Sequence, residues 1–166
     1  AQRVYAYLRA NATAYGWVPD AMNLGEQHYW YWYQVPWLPP TCETCALADV
    51  LQLAIALAES ANPAYWDDVE RFARNHLLAS QFPDDLTFLP PAARDTPGAR
   101  ALAGSFGSAT LPKSLLGHLY TGGEPIIEGC CTGSGGRALH LVWEHAVTDR
   151  AGELWVHLGF SGARPA

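Results

Sequence analysis

Positive charge is scarce in this chain, and charged residues of both signs make up only 16% of its 166 residues. An average soluble protein has about 25%. Its ten basic residues include a single lysine, Lys113, and the net charge is −6. Nucleic acids and anionic membranes are bound by clustered positive charge, so neither is an expected partner. No apolar run reaches the roughly 20 residues of a membrane-spanning helix, and 49% hydrophobic residues exclude intrinsic disorder.

The sequence also lacks an initiator methionine and a signal peptide with a basic start and an apolar middle. Its last patterned stretch, residues 153–160, alternates like a half-buried strand, and no partner strand is evident. We therefore expect a piece of a longer polypeptide whose remainder covers its apolar surface. We also expect these 166 residues alone to be inactive. Cysteines clustered in this way favour a reducing compartment such as the cytoplasm.

Hydrophobic periodicity predicts a mainly α-helical chain. Helices are predicted over residues 2–14, 43–61, 64–81, 113–120 and 132–147, separated by the long irregular segments 15–41 and 82–112. The second helix is apolar over most of its surface, which indicates burial, and Asn62-Pro63 joins it to the third in a helical hairpin. The acidic residues that begin this third helix are expected to face solvent: Asp67, Asp68 and Glu70. We assign residues 1–148 to a helical domain and residues 149–166 to the start of a β domain.

The four cysteines form two clusters, Cys42-x-x-Cys45 and Cys130-Cys131. Three interpretations are open: a disulfide between the clusters (42 with 130 or 45 with 131), buried thiols without chemistry, and a metal site. Zinc takes four ligands, and pairs from two distant segments can supply them. Both clusters fall at predicted helix starts, where the helix dipole favours thiolates. The pattern therefore favours a metal, with Glu43 as a possible oxygen ligand or Cys42 in its place.

These motifs resemble those of glycoside hydrolase family 127, the β-L-arabinofuranosidase type. The segments that carry the resemblance are Gly25-Glu26, Glu43-Thr44-Cys45-Ala46 and Cys130-Cys131. The resemblance implies an (α/α)6 barrel followed by a β-sandwich, so this chain would hold the last part of the barrel and the first strand of the sandwich. It implies a zinc ion with four ligands: Glu43, Cys45, Cys130 and Cys131. It also implies a retaining mechanism with Cys130 as nucleophile and Glu26 as acid/base.

Two features bear on the substrate. Residues 132–137 are glycine-rich where the family has Pro-Pro-Asn, which indicates a distant branch that could act on another sugar. Sugar faces stack on aromatic rings, and four neighbouring residues are proposed to bind substrate: His28, Tyr29, Trp30 and Trp32. The alternative for this run is packing of a loop against the barrel. The predicted function is a retaining glycosidase acting on an L-arabinofuranosyl-like sugar; the alternative is a non-catalytic carbohydrate-related module with a structural zinc.

Overall fold

The computed structural model describes residues 1–19, 42–87, 89–110 and 127–160. Its elements follow in the order α1 (Gln2–Asn11), β1 (Cys42–Glu43), α2 (Thr44–Ser60), α3 (Tyr65–Phe72), α4 (Pro91–Arg94), α5 (Pro97–Arg100), β2 (Ala109–Thr110), α6 (Gly129–Glu144), β3 (Val147–Arg150) and β4 (Glu153–Val156). Strand β1 pairs with β2 and β3 with β4, both antiparallel. The prediction of a mainly helical fold is confirmed. The helix predicted over residues 113–120 lies outside the described residues.

Helix α2 forms the centre of the core because it is apolar around most of its circumference. Its buried residues are Thr44, Leu47, Ala48, Val50, Leu51, Ala54, Ile55, Leu57 and Ala58. Helices α1, α3 and α6 all pack against it. Each large aliphatic side chain buried in this way stabilises the fold by roughly 1.5–3 kcal/mol. The sequence-based prediction that this helix is buried is therefore correct.

The turn at Asn62-Pro63 makes the predicted helical hairpin of α2 and α3. The side-chain oxygen of Asn62 accepts a hydrogen bond from the Ala64 N–H at 3.0 Å. The carbonyl of Pro63 accepts from the Trp66 N–H, also at 3.0 Å. These bonds satisfy N–H groups that a helix start leaves without an intrahelical partner. The two helices then pack side by side in the core.

Beyond α3 the chain stays helical but changes its winding. A π-turn over Ala73–Leu77 is followed by a 3-10 turn over Leu78–Ser80. His76 lies in the π-turn and is 1% exposed. Burial lowers its pKa to about 3, because the charged imidazolium would lose its hydration. The ring is therefore neutral at pH 7, and its Nδ1 accepts a hydrogen bond from the Val18 N–H at 3.4 Å.

One acidic residue expected to face solvent, Asp68, is buried instead and is only 1% exposed. Helix α1 packs over it: the Tyr5 hydroxyl donates to its carboxylate at 3.1 Å, and Arg9 forms an ion pair at 3.3 Å. Arg71 pairs with the other carboxylate oxygen at 3.3 Å. Burial and the Asp68 charge raise the pKa of Tyr5 well above its usual range. The prediction failed because the sequence does not reveal which helix covers this face.

The stretch after α6 is a β-hairpin, so the expectation of a strand without a partner is wrong. Strand β4 pairs with β3, whose first residue, Val147, the periodicity places in the preceding helix. Ala151 and Gly152 both have positive φ, 56° and 88°, as a tight two-residue hairpin turn requires. The proposed domain boundary between residues 148 and 149 falls inside β3.

The hairpin is anchored to the helices by the residues that follow it. The His157 ring stacks on Trp66 with centroids 4.2 Å apart, and Leu158 is 2% exposed. Two apolar side chains of β4 remain largely exposed: Leu154 at 75% and Val156 at 72%. They line an apolar groove of about 400 Å³. Within the described ranges, no helix combines the length and the apolar character needed to cross a membrane.

Candidate metal centre

Two helix starts bring three cysteines together. Cys45 is the second residue of α2, and Cys130 and Cys131 are the second and third residues of α6. The two helices pack against each other, and the proximity of Cys45 to Cys131 shows that their amino-terminal ends lie together. Helix amino-termini carry unpaired N–H groups and a positive dipole end, which favour anionic ligands. Each element therefore presents its thiols at the end of the helix that best accommodates a thiolate.

The spacing of the three sulfurs suits a single metal ion. The Sγ atoms of Cys45 and Cys131 are 3.1 Å apart, and those of Cys130 and Cys131 are 3.9 Å apart. All three lie within 4.8 Å of one another. Tetrahedral zinc with Zn–S bonds of about 2.3 Å holds its sulfurs about 3.8 Å apart. The three cysteines therefore lie close enough to bind a metal ion, and they leave a fourth coordination position for another ligand.

The fourth predicted ligand, Glu43, stands at the edge of this cluster. Its carboxylate is not among the groups that all lie within 4.8 Å of one another. Its charge is nevertheless close enough to contribute to the raised pKa of Cys45, after burial and the Cys130 thiol, while the hydrogen bond with Cys131 acts in the opposite direction. Cys42 is also outside the cluster, and its Sγ donates to the Glu43 carbonyl at 3.3 Å. Helix α2 begins only at Thr44, so the i,i+3 neighbourhood that would bring Cys42 to Cys45 is absent.

In the absence of a bound cation, burial is the main influence on the pKa values of Cys45 and Cys131. It raises the pKa of Cys131 far above the usual thiol range, and the neighbouring thiols add to this effect. Burial is also the largest cause of the raised pKa of Cys45. A bound cation would reverse the balance, because a coordinating thiol is deprotonated outright.

The three thiols differ in their access to solvent. Cys131 is buried, Cys45 is partly buried and Cys130 is exposed. A reactant approaching the start of α6 therefore meets Cys130 first. All four cysteines, which lie within the described residues, are reduced. Of the disulfide pairings considered from the sequence, the structure brings together only the sulfurs of residues 45 and 131.

A segment that the sequence placed in an irregular loop, residues 106–110, connects both helix starts. We call it the bridging segment. Its β2 part pairs with β1, just before α2. The Thr44 hydroxyl donates to the Gly107 carbonyl at 2.6 Å, and the Thr132 hydroxyl of α6 donates to the Phe106 carbonyl at 3.2 Å. Sequence reasoning missed this segment. Phe106 packs against Gly135, but this is one of four glycines in α6, so the sequence does not single out the contact.

No family model, curated protein or solved structure matches this chain. The resemblance to glycoside hydrolase family 127 therefore remains one of short motifs.

The proposed acid/base Glu26 and the proposed substrate-binding residues lie outside the described residues: His28, Tyr29, Trp30 and Trp32. Among the described residues, Arg137 of α6 pairs with Asp49 of α2 at 2.8 Å. This ion pair joins the exposed faces of the two helices whose starts carry the three cysteines.

Substitution of Gly135 by alanine is expected to disturb the centre from a distance. A Cβ at this position would lie 2.5 Å from Cδ2 and 2.8 Å from Cβ of Phe106, which is itself buried. Rotation of the ring cannot relieve the overlap with a Cβ, so the bridging segment has to move away from α6. We expect a loss of about 2–3 kcal/mol in the free energy of unfolding, measured by urea denaturation.

Gly136 offers a matched control for this substitution. It is the next residue of the same helix, and a Cβ there would contact nothing within 4 Å. Gly136→Ala should therefore raise stability by up to about 1 kcal/mol, the difference in helix propensity between the two residues. Equal effects of the two substitutions would contradict the close packing of Phe106 on α6.

Proposed function

We propose that the three-cysteine cluster is a zinc site and that this chain carries the catalytic residues of a retaining glycoside hydrolase. Sulfur donors favour zinc over magnesium and calcium, which prefer oxygen. Cys45, Cys130 and Cys131 would hold the ion, with Glu43 as the fourth ligand that the resemblance implies. One observation carries the proposal: of three thiols close enough to share a metal, Cys130 is exposed at a helix start and open to a substrate.

The proposed reaction divides two roles between Cys130 and Glu26. The Cys130 Sγ attacks the anomeric carbon while the Glu26 carboxyl donates its proton to the leaving oxygen, and the glycosidic C–O bond breaks. Glu26, now a carboxylate, then takes a proton from water, whose oxygen displaces Sγ from the same carbon. Two inversions give net retention. A bound zinc ion would supply a thiol that is already deprotonated at neutral pH.

The substrate class and the larger architecture also belong to the proposal. The resemblance points to an L-arabinofuranosyl-like sugar, which would stack on the aromatic run of residues 28–33. It also points to an (α/α)6 barrel completed by the remainder of the polypeptide. The α2–α3 helical hairpin supports this architecture, because helical hairpins are the repeating unit of such barrels.

A second candidate is a non-catalytic carbohydrate-related module with a purely structural zinc. The observation in its favour is that the cluster joins the starts of α2 and α6, where an ion would tie two helices together. Structural zinc sites are closed by four protein ligands, and the catalytic candidate also has four, so the number of ligands does not distinguish the two. The two candidates therefore differ in what Cys130 does: it is a permanently coordinated ligand in one and a reacting group in the other.

Metal analysis combined with product stereochemistry tests the proposal on the complete gene product. We expect zinc to copurify with the protein, and we expect a pentofuranoside substrate to release its sugar with the anomeric configuration retained, as followed by NMR. Zinc without sugar release from a panel of pentose and hexose glycosides would favour the structural module. A metal-free protein with all four thiols oxidised would overturn both candidates.

A further inference from the structure

We infer that Ser108 is the positioning residue that sets the distance between the two helix starts and thereby between the three thiols. The inference deepens the proposed metal site and rests on it for its functional meaning. Ser108 lies in the bridging segment and is 2% exposed. It neither belongs to the cluster nor supplies a metal-binding sulfur, so it acts through Cys45 on one side and through Cys130 and Cys131 on the other.

Two hydrogen bonds give Ser108 this role. Its backbone carbonyl accepts from the N–H of Thr44, the first residue of α2, at 3.1 Å. Its side-chain hydroxyl oxygen accepts from the N–H of Glu128, the residue that caps α6. Both donors are N–H groups that a helix start leaves without an intrahelical partner. One buried residue thus satisfies the ends of both helices at once.

The positions of the thiols depend directly on these two anchored residues, Thr44 and Glu128. Cys45 is the residue after Thr44, while Cys130 comes two residues after Glu128. Along the chain Cys45 and Cys131 are separated by 86 positions, so their Sγ distance of 3.1 Å depends on how the two helix ends are held. Packing of α2 on α6 sets the helices side by side, whereas the bonds to Ser108 fix the positions of their ends.

Removal of the Ser108 hydroxyl should affect the start of α6 more than the start of α2. Ser108→Ala keeps the carbonyl that binds Thr44 but leaves the Glu128 N–H without its acceptor. The start of α6 then retains only the bond from Thr132 to the Phe106 carbonyl within this segment. Residues that orient metal ligands without touching the metal typically change metal affinity by 10–100-fold. We expect a loss of that size in the affinity for Co²⁺, a spectroscopic substitute for zinc.

The experiment compares Ser108→Ala with Ser105→Ala, a control in the preceding turn whose hydroxyl donates to the Leu102 carbonyl and touches neither helix start. The first readout is Co²⁺ affinity from the thiolate-to-cobalt absorption band, recorded far below the unfolding temperature. A merely structural role would lower the melting temperature and leave this affinity unchanged. We expect a weaker and shifted band for Ser108→Ala and a wild-type band for the control.

The second readout needs no metal. In chelator-treated protein, a low-molecular-weight disulfide such as oxidised glutathione can accept the two electrons: the thiols of Cys45 and Cys131 lose their protons and form an S–S bond, and two glutathione thiols are released. Peptide mapping gives the rate of this cross-link. We expect Ser108→Ala to slow it several-fold relative to Ser105→Ala, because the sulfurs spend less time in contact.

The two readouts separate the two claims. A wild-type chain that binds no Co²⁺ would overturn the proposed zinc site, while the cross-linking rate would still decide the role of Ser108. Wild-type Co²⁺ affinity together with a wild-type cross-linking rate in Ser108→Ala would overturn the role of Ser108. Should Ser108→Ala not fold, Thr132→Val removes the other bond between α6 and the bridging segment. It should lower both the Co²⁺ affinity and the cross-linking rate, and unchanged values of both would equally contradict the inference.

Discussion

Replacement of Cys131 by serine should lower the affinity of the protein for zinc by more than about 100-fold. Mutation of residues that only orient metal ligands typically lowers metal affinity by 10–100-fold, and loss of a ligand should lower it further. The Cys131 Sγ is 3.1 Å from that of Cys45 and 3.9 Å from that of Cys130, so a serine there removes a sulfur donor that is close to both others. The measurement is competition with a chromophoric chelator at neutral pH.

Cys42→Ser is the matched control, because Cys42 and Cys131 are both about 1% exposed or less. Both substitutions place a hydroxyl in the core and should lower stability to a similar degree. Only Cys131→Ser should affect zinc binding, since Cys42 lies outside the cluster. Loss of zinc in Cys42→Ser, with zinc retained in Glu43→Gln, would instead indicate a four-cysteine structural site. The ligand set that the resemblance implies, with Glu43 as the fourth ligand, would then be wrong.

Glu26→Gln in the complete gene product should lower turnover by roughly 10²–10⁴-fold, the usual contribution of a general acid–base residue. The amide cannot donate a proton to the leaving oxygen or remove one from water. Zinc content should stay at the wild-type level, because Glu26 is not a proposed ligand. The measurement is steady-state hydrolysis of a pentofuranoside, with elemental analysis of the same preparation.

Rescue by azide tests whether Glu26 acts as the general base in the second step. With a nitrophenyl glycoside the leaving group needs little protonation, so the slow step in Glu26→Gln is attack by water without a base. Azide needs no base, and we expect it to restore turnover and to give a glycosyl azide of retained configuration. A variant at an exposed position of the hairpin, Glu153→Gln, should hydrolyse at the wild-type rate. Wild-type turnover of Glu26→Gln would show that another residue is the acid/base.

The helices of this chain are predictable because each is specified by residues close together in sequence. The apolar circumference of α2 requires burial wherever the helix packs, and Asn62-Pro63 ends one helix and starts the next. The predicted bounds of α6 are displaced by three residues, from 132–147 to Gly129–Glu144. The residue before α6, Glu128, makes no side-chain capping bond, so the sequence carries no local signal for this start. Because α6 also ends earlier than predicted, Val147 belongs to β3 instead.

The candidate site is only partly predictable. Cys130 and Cys131 are neighbours in any fold. Cys42 and Cys45 are only three positions apart, yet of these two only Cys45 joins the cluster. The difference arises where the helix begins, because Cys42 sits on a strand that pairs with β2 and Cys45 on the first turn of α2. Which backbone segment supplies that pairing cannot be read from the cysteine spacing.

By itself, the sequence determined a mainly helical protein with a buried α2 and with thiols at helix starts, because periodicity and end preferences act over a few residues. Only the tertiary structure decided which thiols meet, that Asp68 is covered by α1, and that residues 106–110 connect the two helix ends. Each of these features joins segments far apart in the chain. They depend on packing and hydrogen bonds summed over the whole fold, for which no short stretch of sequence carries a signal.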